Sequence, residues 1–165
     1  MAAPQELFDR PETLFAATFV GEPAMNTMPA RLSEVGGRPY LSIGNGNVPL
    51  DRDWLASGTP LKAGADYTLG VRPQQITLCA PDDRCEGRVD GVIFALETLG
   101  SRVVFDIDVD DAVVRVMTSV DTARRFSSAI GAPIAFRVDP DFVYLFDPAT
   151  GRALRQARFT HRRRV

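Results

Sequence analysis

Over the first twenty residues apolar positions recur at helical spacing, and beyond Gly21 they recur at strand spacing. Leu7 and Phe8 supply an apolar edge to one short helix. Leu14, Phe15 and Phe19 supply one to a second, which Gly21 stops. Pro4 and Pro11 each suit a first helical turn, where a missing N–H costs nothing. After that the chain reads as short strands. Pro39 to Ile43 runs into Gly44-Asn45-Gly46-Asn47, a tight turn leading to Val48-Pro49-Leu50. Thr68 to Arg72 is a strand stopped by Pro73, and Arg88 to Glu97 is long enough to need a glycine kink or a bulge. Gly100 turns the chain into Val103 to Val109. There Phe105, Ile107 and Val109 face one way and Asp106, Asp108 and Asp110 the other. Val113 to Met117 pairs with that strand across Asp110-Asp111. A short helix is expected at 121–129, capped by Asp121. Ile134 to Val138 and Phe142 to Phe146 follow as strands, and Asp147 to Gly151 forms a turn. Roughly eight to ten short strands at 8–12-residue spacing indicate a sandwich or a small barrel.

Composition narrows the chemistry. The chain has 165 residues, enough to bury a core without a disulfide or metal. Hydrophobic residues make up 45% and charged residues 24%, which excludes wholesale disorder. No run approaches the ~18 apolar residues of a membrane span, and the start lacks the basic and apolar regions of a secretory signal. A soluble, cytoplasmic protein is expected. The formal net charge of −2 gives no general attraction for polyanions. Lys62 is the only lysine, and Pro60-Leu61-Lys62-Ala63-Gly64 is not a phosphate-binding P-loop. His161 is the only histidine, so a histidine-based triad or a multi-histidine metal site is not expected. Asp106-x-Asp108-x-Asp110 opens like a calcium loop, but Asp111 and Met117 occupy the positions that require Gly and Glu. Cys79 and Cys85 are too far apart for C-x-x-C and lack a second ligand pair. They are expected as two thiols beside a loop, or as a loop-closing disulfide under oxidising conditions. Gly44-x-Gly46 precedes Pro49 and no helix, so it is no dinucleotide fingerprint. No catalytic residues, cofactor or metal are expected.

Several segments carry a resemblance. Pro4-Gln5-Glu6-Leu7-Phe8-Asp9-Arg10-Pro11, then Phe19-Val20-Gly21-Glu22-Pro23-Ala24-Met25-Asn26, resemble the end of the ATPase domain in ATP-binding subunits of sugar ABC importers of the maltose and glycerol-3-phosphate type. Downstream landmarks follow in order. Leu69-Gly70-Val71-Arg72-Pro73 is similar to that family's G-I-R-P-E, and Leu96-Glu97-Thr98-Leu99-Gly100 to its V-E-x-L-G. Tyr144-Leu145-Phe146-Asp147 with Thr150-Gly151 is similar to its H-L-F-D…T-G. Gln74 stands where the family has Glu, and Glu22 where a small Ser is common.

The resemblance implies a mainly β, OB-like regulatory barrel of the TOBE kind preceded by two short helices. Residues 1–22 would be the tail of the ATPase domain, 23–158 the barrel and 159–165 a basic tail. It marks Pro23, Met25, Asn26, Gly70, Arg72, Pro73, Glu97, Gly100, Phe146, Asp147 and Gly151 as structural motif positions. It further implies a non-catalytic regulatory and dimerisation role, with ATP and Mg bound upstream in the parent subunit. The implied partners are a second copy, the transporter's membrane subunits through the ATPase domain, and a regulatory protein. The implied location is the inner face of the cell membrane. Phe8, Leu14, Phe15 and Phe19 would pack on that ATPase domain or on the barrel. Two rivals remain: a free-standing oxyanion-binding barrel, which wants clustered N–H donors with Ser, Thr or Lys, and an oligonucleotide-binding OB-fold, which wants exposed aromatics on a basic face.

Overall fold

The computed structural model describes residues 8–51, 54, 61–80, 82–110 and 112–157. Pro4, Leu7 and the basic tail expected at 159–165 lie outside the described residues. Among the described residues, eleven strands follow one another: β1 (Asn26–Val35), β2 (Arg38–Ile43), β3 (Gly46–Pro49), β4 (Asp66–Val71), β5 (Ile76–Cys79), β6 (Arg88–Leu99), β7 (Arg102–Val109), β8 (Ala112–Ser119), β9 (Pro133–Val138), β10 (Tyr144–Phe146) and β11 (Ala153–Arg155). The short helix α1 (Leu14–Phe19) precedes β1 and α2 (Val120–Ala123) follows β8, with single 3-10 turns at Pro73–Gln75 and Pro140–Phe142.

The strands form two antiparallel sheets. The first has the order β11-β10-β4-β1-β2-β3 and the second β5-β9-β6-β7-β8. The edge strands β5 and β8 of the second sheet approach each other, which curls it towards a five-stranded barrel of the OB type. The main core lies between the sheets, with Leu32, Leu41, Leu69, Val89, Ile93, Phe105, Ile107 and Phe136 almost fully buried. The alternation in β7 holds: Phe105, Ile107 and Val109 are buried, while Asp106 pairs with Arg115 across β8 at 3.1 Å.

Several expectations need correction. β1 begins well before Pro39 and is a central strand. Its Pro29 lies in the half paired only with β4, where a missing N–H disturbs the ladder least. Of the glycine kink or bulge expected in Arg88 to Glu97, the bulge is present: the register shifts between Ile93 and Ala95, at Phe94. Gly91 serves a close approach instead, because a Cβ there would lie 2.6 Å from the Asp108 carbonyl. The helix expected at 121–129 is the single turn α2. Ser119 caps it by accepting the Thr122 N–H, since a hydroxyl just before the first turn reaches that amide. Pro11 precedes α1 rather than starting it, and Thr13 is the N-cap, accepting the Ala16 N–H.

Candidate functional site

A second, smaller core sits on the outer face of the first sheet. Ala17 of α1, Met25, Tyr144, Phe146 and Ala157 are buried together, with Leu14 and Ala153 packed against them. All three residues of β10 are therefore buried, because its two faces meet different cores. The close fit requires Gly70 on β4, where a Cβ would lie 2.6 Å from Met25 Sδ and 2.9 Å from the Phe146 ring. Met25, Gly70 and Phe146, from three separate sequence motifs, thus meet at one point.

Arg72 follows two residues after Gly70 and is only 2% exposed. Its guanidinium donates to the carbonyls of Val20, at 2.9 Å, and Phe8. It also stacks on the Phe8 ring, 3.5 Å from the centroid. Burial lowers the Arg72 pKa, with Tyr144 and Asp9 acting in the opposite sense. Tyr144 donates its hydroxyl to the Asp9 carbonyl at 3.0 Å, and burial pushes its pKa up to about 12. Gln156 donates to the Pro11 carbonyl at 2.9 Å. Leu14 N–H reaches the Gly151 carbonyl at 2.8 Å, and Ala153 N–H the Glu12 carbonyl at 2.9 Å. The side chains of Arg72, just after β4, of Tyr144 in β10 and of Gln156, just after β11, therefore dock residues 8–20 against the first sheet.

Of the other motif positions, Asp147, Gly151 and Pro73 fall beside this dock. Asp147 Oδ1 accepts the N–H groups of Ala149 and Thr150 and the Thr150 hydroxyl, which builds the turn that presents Gly151 to α1. These bonds hold the Asp147 carboxyl below the usual carboxylate range. Pro73 is buried and starts the 3-10 turn after Arg72. Asn26 joins the two sheets: its amide donates to the Arg115 carbonyl and accepts the Arg115 N–H, both at 2.8 Å. Pro23 and Glu97 line one cavity of about 280 Å³, together with Glu22, Asp106 and Arg115. Gly100 stands apart, in the β6–β7 turn. Phe8 and Leu14 pack inward as expected. Phe15 and Phe19 stack on each other at 5.7 Å but remain 75% and 77% exposed.

Gln156 completes the dock without a signal in the sequence, and Tyr144 does so from inside a quoted motif whose marked positions were Phe146 and Asp147. Tyr144 alone left a signal, as the one polar tip in an otherwise apolar strand. Among the described residues no group of three or more His, Cys, Asp or Glu could hold a metal ion, and no helix is long and apolar enough to cross a membrane. The site is built for holding one piece of chain against another.

Comparison with known proteins agrees with the order of these motifs. Residues 21–76 match the MalK OB fold domain and residues 69–146 the TOBE domain, overlapping on the segment that carries Gly70, Arg72 and Pro73. The sn-glycerol-3-phosphate import ATP-binding protein UgpC of Burkholderia ambifaria is 33% identical over 160 residues, covering 92% of this chain and 40% of that protein. The alpha-glucoside transport ATP-binding protein AglK of Rhizobium meliloti is 30% identical over 151 residues, covering 89% and 38%. The chain thus spans about two-fifths of the length of these curated relatives. The molybdate-binding protein ModG, solved with molybdate bound, superposes with a TM-score of 0.57 over 74% of this chain and 96% of its own. Its sequence identity is 15%, so the likeness speaks for the fold alone. Across residues 21–146 the chain belongs to the MalK OB-fold and TOBE domain families, and its relatives are ATP-binding proteins of import systems.

Proposed function

We propose that the chain is the non-catalytic regulatory and dimerisation domain of an ATP-binding subunit in a sugar or glycerol-3-phosphate importer. ATP and Mg are bound by the parent subunit's ATPase domain, which also touches the membrane subunits at the inner face of the membrane. The barrel contacts a second copy of itself and receives a regulatory protein. One observation carries this reading: 92% of the chain aligns with only 40% of a glycerol-3-phosphate import ATP-binding protein. The docked linker supports it physically. An incoming chain held by Arg72, Tyr144 and Gln156 has a set orientation, so movement of a domain ahead of it is passed to the barrel. A contact away from the nucleotide sites keeps two ATPase domains close while those sites open, which makes re-closure effectively intramolecular.

A graft tests the proposal. The aligned part of the Burkholderia ambifaria relative is replaced by this chain, and glycerol-3-phosphate import is measured in cells lacking their own subunit. Restored import with ATP turnover is expected, whereas the isolated chain neither binds nor hydrolyses ATP. A chimera that is folded and hydrolyses ATP yet never dimerises through the graft would reject the proposal.

A further inference from the structure

Cys79 ends β5 and Cys85 lies in the connection to β6, and their sulfur atoms are 2.9 Å apart. Topology brings them together. β5 and β6 flank β9 and both run antiparallel to it, with Cys79 opposite Ala135 and Arg88 opposite Arg137. The two strands are therefore parallel to each other, and the connection between them must double back across β9 rather than form a hairpin. By alternation Cys79 shares the outward face of exposed Thr77, yet it is only 3% exposed, because the crossover lies over it.

The crossover is held without help from sulfur. Arg88 donates to the Ala80 carbonyl at 3.0 Å and to the Asp83 carbonyl at 2.9 Å, and Asp83 N–H donates to Ala80. Glu86 pairs with Arg38 of β2 at 3.0 Å, which links the crossover to the other sheet. The two thiols thus face each other on a backbone already in place. We propose that Cys79 and Cys85 are a redox-modification site, closed to an intramolecular disulfide by hydrogen peroxide and reopened by dithiols.

The pair is asymmetric. Cys85 is half-buried and reachable, while burial and the bond to Cys85 push the Cys79 thiol up to about 12. Cys85 is accordingly the attacking residue and Cys79 the resolving one. The Cys85 thiolate attacks one peroxide oxygen and the O–O bond breaks. The departing hydroxide takes a proton to become water, leaving a sulfenic acid on Cys85. Cys79 sulfur then attacks the Cys85 sulfur, the S–O bond breaks, and a second water carries off the Cys79 proton. Two thiols lose two electrons and one peroxide becomes two waters. Exchange with a dithiol reverses the oxidation.

This site is independent of the importer proposal. The purified chain is treated with hydrogen peroxide and examined by intact mass, thiol titration and hydrogen exchange, then treated with dithiothreitol. The expected result is loss of the mass of two hydrogens per monomer and loss of both free thiols, with slower exchange at residues 82–87. Dithiothreitol should undo all three. Cys79→Ser should instead halt at sulfenic acid or go on to sulfinic acid at Cys85. If Cys79→Ser fails to fold, Cys85→Ser, at the half-buried position, should lose the peroxide-induced change in exchange. Oxygen addition in the parent chain without disulfide, or disulfide only between chains, would overturn the proposal.

Discussion

The guanidinium of Arg72 lies 3.5 Å from the ring centroid of Phe8, across 64 residues of chain. That contact separates a docked linker from a tethered one. Arg72→Ala removes a desolvated cation–π contact and leaves the Val20 and Phe8 carbonyls without their donor, a loss of roughly 2–4 kcal/mol in unfolding free energy. Hydrogen exchange should show residues 14–20 losing protection first, while β6 and β7 keep theirs. Arg72→Lys should restore little, because one ammonium cannot stack on a ring and reach two carbonyls in a fork. Unchanged protection of α1 in Arg72→Ala would mean that the linker is held by other contacts.

Gly70 and Met25 allow a sharper measurement. Gly70→Ala drives a methyl to within 2.6 Å of Met25 Sδ, with the Phe146 ring 2.9 Å away. Overpacking of this kind costs about 1–3 kcal/mol. Met25→Ala opens space at the same point but loses buried apolar contact. The double variant should be more stable than the two single losses added together, a positive coupling readable in urea midpoints. Strict additivity would place the two residues outside one packing unit.

Much of this architecture was legible because β7 and β8 each bury one face, so alternation survives in Phe105, Ile107 and Val109. β1 was not read as a strand, although Met28, Ala30 and Leu32 do alternate, because Pro29 and small Ala30 weaken the pattern. β11 has only three residues. The buried one is Arg155, which stacks over Trp54 at 3.9 Å, so a charged letter marks an interior position. Ser119 and Asp121 are both capping residues, and only the backbone decides between them, in favour of Ser119. The motif residues were identifiable one by one, but their convergence was not. Asn26 meets Arg115 across 89 residues and Gln156 meets Pro11 across 145, and no local period encodes such pairs.

Alkaline pH should weaken the dock. The Tyr144 hydroxyl is buried and held to the Asp9 carbonyl, with a pKa pushed up to about 12 in the folded chain. An unfolded tyrosine titrates near 10. The folded form therefore keeps a proton that the unfolded form gives up. Its contribution is complete below about pH 10 and declines as pH rises from there towards 12. Cys79, also raised to about 12, adds to the decline from nearer pH 9. Urea midpoints between about pH 8 and 11 should fall, and in Tyr144→Phe the fall above pH 10 should be shallower. A Tyr144→Phe curve parallel to that of the parent chain would show that this hydroxyl does not titrate on unfolding.

Self-association has two candidate surfaces, and they can be told apart. Phe15 and Phe19 form an exposed stacked pair on α1, on the helix edge away from Leu14 and Ala17. In the proposed parent subunit that pair would meet the ATPase domain; on the isolated chain it is an apolar patch that invites association. A dimer through the barrel would instead survive its removal. Without ATPase domains such an interface would be near or below ~1,000 Å² and correspondingly weak. Sedimentation over a roughly hundredfold concentration range should show a substantial monomer fraction at micromolar protein and a two-fold dimer at the top of the range. The Phe15→Ser/Phe19→Ser variant should keep that dimer and lose only higher aggregates. If the double variant is monomeric even at millimolar protein, association belongs to the helix, and the barrel alone does not carry dimerisation.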